Sequence, residues 1–121
     1  MPIQRAVILG VLLSFSAFAA TWSGALVDAK CYRSQSTNVN PREPAVSRDV
    51  NAPIRYCAPT AKTKGFAIVL KDASSLNLDQ AAYSKAAELV SKAGKQDIYP
   101  VTITGEKNRK TIKVDSIALS Q

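Results

Sequence analysis

Strand-like and helix-like spacings follow one another along this chain, with one long interruption. Trp22 to Asp28 (WSGALVD) is rich in residue types that suit a β-strand, and Gly24 in its interior marks a bulge or a tight bend. Gly65 to Leu70 (GFAIVL) reads as a second strand that is apolar on both faces, with Phe66, Ile68 and Leu70 on the face directed into a core. Lys71-Asp72-Ala73-Ser74 supplies a turn, after which Leu76 and Leu78 alternate with polar neighbours in a short third strand. Tyr99, Val101 and Ile103 alternate with Thr102 and Thr104 in a fourth strand, Pro100 marking its start or a position without a ladder bond. Glu106 to Lys110 forms a hairpin loop. Ile112 and Val114 share one phase while Ile117 and Leu119 share the other, and this slip predicts a bulge near Asp115 and Ser116 in the fifth strand.

One segment carries the helical period. Ala82, Ala86, Leu89, Val90 and Ala93 fall on a single stripe. Asp79 stands where an N-cap belongs, Leu78 and Tyr83 are spaced as a hydrophobic staple, and Lys92 and Gly94 suit the last turn and the C-cap. The pattern predicts a helix over Gln80 to Ala93 and supports no other after the N-terminal run. Tyr32 to Thr60 holds Pro41, Pro44, Pro53 and Pro59 and shows no sustained period, so it reads as a long surface loop. Loops of this length are uncommon unless they carry function or lack order.

The order is strand, long loop, strand, strand, helix, strand, strand. It predicts a mainly β fold: a five-stranded OB-fold-like barrel with one helix between strands 3 and 4 and a long disulfide-closed loop between strands 1 and 2. Gly24 and the bulge near Asp115 supply the curvature that a small barrel needs. An open antiparallel sheet with one packed helix is the alternative. The expected core is Trp22, Leu26, Phe66, Ile68, Leu70, Leu89, Val90, Val101, Ile103, Ile112, Val114 and Ile117.

The N-terminal run changes the picture. Arg5, an apolar stretch from Ala6 to Leu13 and the small-residue site Ala17-Phe18-Ala19 have the form of a cleaved signal peptide over residues 1–19, leaving one domain at 20–121. The stretch is shorter than a membrane-spanning helix of about 20 residues. Cys31 lies too far from the cleavage site for a lipoprotein. The expected location is therefore the periplasm or the exterior, where a disulfide persists. With two cysteines in the chain, Cys31–Cys57 is the available pair, and closing that loop contributes about 3.5 kcal/mol in the chain-entropy description.

The words TWSGALVDAKC, GFAIVLK and VTITGEKNRKTIKVDSIAL resemble small exported bacterial proteins of the periplasmic OB-fold kind, mostly uncharacterised. The resemblance implies a binding or stress-associated domain and no catalytic residue. The chain departs from that pattern at Asp72-Ala73, where a glycine turn is usual, and in the cysteine-closed excursion.

Charge singles out two loops. The chain is formally +7, or +6 without Arg5 of the leader, and that excess sits on the segment from Tyr32 to Gly65 (Arg33, Arg42, Arg48, Arg55, Lys62 and Lys64 against Glu43 and Asp49) and on the last hairpin (Lys107, Arg109 and Lys110 against Glu106). In an OB-fold these loops flank the usual binding face, so their charge predicts an anion-binding face formed by Arg33, Arg42, Arg48, Arg55, Lys107, Arg109 and Lys110. Tyr32 and Tyr56, beside the cysteines, serve as stacking surfaces in that reading or pack on the disulfide in a plainer one. Solvated loops carry lysine and arginine in any case, so solubility is the competing account of the charge.

Other chemistry lacks its residues. The chain has no histidine, no C-x-x-C, no clustered acids, no phosphate loop and no dinucleotide fingerprint. No cofactor, no metal site and no enzyme is expected. Three classes remain: a module binding an anionic polysaccharide, lipid head group or acidic protein; a structural or protein-interaction domain with no small ligand; and a nucleic-acid binder, which export disfavours.

Overall fold

A computed structural model describes residues 19–37 and 51–120. All of the expected leader except Ala19, and both Arg42 and Arg48, lie outside the described residues. The strands are β1 (Ala20–Asp28), β2 (Phe66–Val69), β3 (Ser75–Leu78), β4 (Tyr99–Asn108) and β5 (Thr111–Leu119). The helices are α1 (Ala29–Thr37), α2 (Ala52–Tyr56) and α3 (Tyr83–Ala93), the last preceded by a 3-10 turn at Gln80–Ala82.

The strands close a barrel in the order β1-β2-β3-β5-β4, with β4 returning to β1. All pairs are antiparallel except β3–β5, which is parallel and joins Asn77 to Thr111 and Leu78 to Ile112. This is the mixed, five-stranded OB-fold-like arrangement that the order of elements predicts, and the open sheet is thereby excluded. β1 serves both neighbours: Ala20 to Leu26 pair with β4, and Ala25 to Asp28 pair with β2. At the change of partner stands Gly24, where a Cβ would run into the Val69 carbonyl oxygen. The bulge falls where the phase slip places it: Thr104 pairs with Ser116 and Gly105 with Val114, so Asp115 is the extra residue.

The barrel core holds Leu26, Phe66, Ile68, Val90, Val101, Ile103 and Ile112 as expected, and also Leu76, Leu78, Ala82, Ala86 and Tyr99. Trp22, Leu70, Leu89, Val114 and Ile117 are half-buried against it rather than enclosed. Tyr99 fixes the far end of α3. Its hydroxyl donates to Gly94 O at 2.7 Å and accepts from Gln96 N at 3.2 Å.

Two expectations need correction. The predicted helix begins with a 3-10 turn, and Asp79 does not cap it: the residue is extended (φ −72°, ψ 157°) and makes no side-chain cap bond. Its carboxylate is engaged elsewhere, accepting the Val114 N–H at 3.0 Å. The stretch from Tyr32 to Thr60 is also not wholly a loop. Its two ends are helical, α1 continuing directly from β1 and α2 starting at Asn51-Ala52-Pro53, where proline suits a first turn. Neither helix has a long apolar stripe, which is why periodicity misses them.

Candidate functional site

The described ends of the excursion between β1 and β2 are folded back on the barrel. The Cys31–Cys57 disulfide joins α1 to the end of α2, with Cα atoms 5.5 Å apart. Asp28 N donates to Cys57 O and Ala29 N to Gly65 O, both at 2.9 Å, so the roots of the excursion are stitched at the barrel wall. Beneath lies a second apolar cluster: Ala25 and Val27 from β1, Ala67 and Val69 from β2, and Ile54 and Cys57 from the excursion. This explains why β2 is apolar on both faces. Phe66 and Ile68 fill the barrel, while Ala67 and Val69 are the floor on which the excursion sits. Tyr32 packs on the same cluster and donates to Ala73 O at 3.4 Å, tying α1 to the β2–β3 turn; burial pushes its phenol above the ordinary value of 10.0.

The outer wall therefore has two unlike halves. In OB-folds the face of strands 2 and 3 is the common binding surface. Here its β2 half is covered. The other half, formed by β3, β5 and the tip of β4, is open. Ile112 is buried, so Thr111 and Lys113 point outward; Gly105 is buried, so Glu106 and Asn108 point outward. Register sets Asn77, Thr111 and Asn108 in one row across three strands, and Glu106 opposite Lys113. Neighbouring strands lie about 4.8 Å apart, so the row spans about 10 Å.

Around this row stand Arg109, Lys110 and Lys113, while Lys107, paired with Ile112, lies on the other face of β4 at the hairpin's end; all four are exposed. Among the described residues none of the four is in an ion pair, unlike Lys92 of α3, which pairs with Glu88 at 2.9 Å. Against Glu106 and Asp115, the four cations give the hairpin a net charge of +2. Its turn consists of Arg109 and Lys110, between Asn108 and Thr111. Arg109 has φ 61°, in the left-handed region that favours glycine. The turn is anchored on β3 by the bond from Asn77 N to Lys110 O, 2.7 Å.

Of the residues singled out by charge, Lys107, Arg109 and Lys110 share the hairpin. Arg33 and Arg55 are exposed on α1 and α2, which pack over β1 and β2. The tip of the hairpin is laddered to β3, through Thr111 and Ile112, while the body of β4 pairs with β1. The hairpin and the excursion thus border the two halves of the outer wall. Of the two tyrosines, Tyr32 is packed, whereas Tyr56 is 74% exposed. Sequence reasoning missed Asn77, Asn108, Thr111 and Lys113. The alternation of Ile112 and Val114 already turned Thr111 and Lys113 outward, but only the parallel β3–β5 pairing brings Asn77 beside them.

Grooves also lie elsewhere. One, of 510 Å³, separates the segment from Ala58 to Ala61 from the end of α3, and its Tyr99 hydroxyl is already engaged. Another, of 320 Å³, lies between α3 and the β5 bulge and is bridged by Lys85 Nζ donating to Asp115 O at 3.3 Å. No helix among the described residues is long and apolar enough to cross a membrane, and no group of three metal-ligating side chains occurs among them. No family model matches the chain, and neither a curated protein nor a solved structure matches it.

Proposed function

We propose that this chain is an exported binding module for an anionic ligand or envelope partner, and that the β4–β5 hairpin with the open β3–β5 wall is its binding surface. The observation that carries the reading is the hairpin's four cations, none in an ion pair among the described residues and three of them beside the polar wall, while α1 and α2 cover the neighbouring wall. Cations gathered on one hairpin in excess of its acids set up a positive field for an incoming anion. Arginine at position 109, where glycine fits the backbone better, places a planar two-donor fork at the tip. The disulfide supports the exported location, since such bonds persist in oxidising compartments. Arg33 and Arg55, exposed on α1 and α2 over the covered half of the wall, remain part of the proposal, as do Arg42 and Arg48 from the sequence alone.

The test is retention on a sulfonated matrix across a salt gradient. Reversing Lys107 and Arg109 to glutamate is expected to lower the eluting salt far more than reversing Lys92 and Lys95 at the end of α3. Equal losses from the two pairs would mean that net charge alone governs retention, and the localised surface would be abandoned.

A second reading, a structural or protein-interaction domain without a small ligand, is favoured by Tyr56. A tyrosine 74% exposed on a disulfide-anchored helix is the kind of aromatic side chain that protein interfaces use. Partner binding insensitive to salt and lost in Tyr56→Ala would select it.

A further inference from the structure

The open wall is not only basic. Its centre is a strip of neutral hydrogen-bonding groups: the amides of Asn77 and Asn108 on either side of the Thr111 hydroxyl, set in one row by the strand register. None of the three side chains is hydrogen-bonded within the protein among the described residues, so their donors and acceptors are open to solvent. Cations stand at the edges of the row, Arg109 and Lys110 at the turn and Lys113 one step along β5 on the same face.

A ligand that satisfied both parts would carry hydroxyls for the strip and carboxylates or sulfates for the rim. A bare polyanion would use the rim alone. A single-stranded nucleic acid would look for rings on which its bases stack. Among the described residues this wall offers none. Phe66 and Tyr99 are inside the barrel, Trp22 and Tyr83 pack against its core, and Tyr32 lies in the second cluster. Tyr56 belongs to α2, which packs over β1.

We propose that the ligand of the open wall is an acidic polysaccharide, its ring hydroxyls bonded by Asn77, Thr111 and Asn108 and its acid groups by Arg109, Lys110 and Lys113. This rests on the anion-binding reading above and narrows it to one class of ligand. Asparagine both donates and accepts, as does threonine, so the strip matches hydroxyls that do the same.

The experiment uses the intact disulfide-bonded protein and four probes: polygalacturonate (hydroxyls and carboxylates), polyglutamate (carboxylates only), dextran (hydroxyls only) and oligo-deoxythymidine. Titration calorimetry at fixed salt is expected to give polygalacturonate about tenfold tighter binding than polyglutamate, and dextran none, because two or three extra hydrogen bonds amount to about a factor of ten. The variants Asn77→Ala and Thr111→Val, on exposed strand positions, are expected to remove that advantage together. Polyglutamate binding should stay within about twofold of wild type, which also reports that the fold is intact. Equal affinity for the two polyanions, both lost on reversing Lys107 and Arg109, would overturn the polysaccharide inference and leave the anion surface standing. Tighter binding of oligo-deoxythymidine would overturn it in favour of nucleic acid. Failure of both polyanions to bind would remove the anion-binding reading itself.

Discussion

The carboxylate of Asp79 accepts a hydrogen bond from the backbone N–H of Val114, 3.0 Å away, while the backbone N–H of Asp79 donates to Ile112 O, also at 3.0 Å. One residue thus clasps β5 on both sides of Lys113, next to the bulge at Asp115. The side chain extends the short β3–β5 ladder by one bond beyond Leu78.

Asp79→Ala is expected to destabilise the fold by about 1.5–3 kcal/mol, the range for a hydrogen bond to a charged group. Asp79→Asn keeps an acceptor and should lose less. Urea unfolding at neutral pH checks both, and equal losses would show that charge rather than the bond to Val114 matters.

Ala73 lies in the left-handed region at φ 71°, between bonds from Leu70 N to Ser74 O and from Ala73 N to Leu70 O. A non-glycine residue there costs about 1–2 kcal/mol. Glycine brings an entropic cost of about 0.5–1 kcal/mol. Ala73→Gly should therefore stabilise the protein by roughly 0.5–1 kcal/mol, read from the unfolding midpoint. A lower midpoint would contradict the strained turn.

In the same turn the carboxylate of Asp72 accepts from the hydroxyl and the backbone N–H of Ser74, the latter at 3.0 Å. These bonds hold its pKa below the ordinary 3.8. The folded value lies under the unfolded one, so the stabilisation is present above the unfolded value and fades as pH falls through the folded one. A carbon-detected NMR titration should place Asp72 below an exposed aspartate. Ser74→Ala, which keeps the backbone bond, should bring it part of the way up toward 3.8, and an unchanged value would exclude the Ser74 hydroxyl as the main cause.

Ile68 points into the barrel and Val69, its neighbour, into the cluster under the excursion. Ile68→Ala is expected to cost about 2–5 kcal/mol. Reducing Cys31–Cys57 in the wild type removes about 3.5 kcal/mol of loop constraint. It should also raise binding of an apolar dye by loosening the cover over Ala67 and Val69. Dye binding that does not change on reduction would mean that apolar packing alone holds the excursion in place.

The barrel was legible because its signals are local. Strand-forming residue types located β1, a short apolar run located β2 and alternation located β3 to β5, the break in phase after Val114 located the bulge, and the stripe from Ala82 to Ala93 located α3. What was not legible depended on partners. Asp79 has the chemistry of an N-cap, and only the three-dimensional position of Val114 N diverts it. The apolar outer face of β2 was visible in Ala67 and Val69, but what covers it was not, because α1 and α2 are short and Ile54 is the buried contact of α2. The charged hairpin was plain, whereas the polar strip beside it required Asn77 and Thr111, 34 positions apart, to be neighbours.

That parallel contact has a consequence for how the chain reaches its native state. The β4–β5 hairpin closes over a two-residue turn and can form early, within its own segment. Barrel closure must wait for partners far apart in the chain, and such long-range pairings slow folding. Only two register pairs and the Asp79 clasp secure the parallel seam. In native-state hydrogen exchange the amides of Asn77 and Asp79, which donate to Lys110 O and Ile112 O, are then the reporters of how often the seam opens.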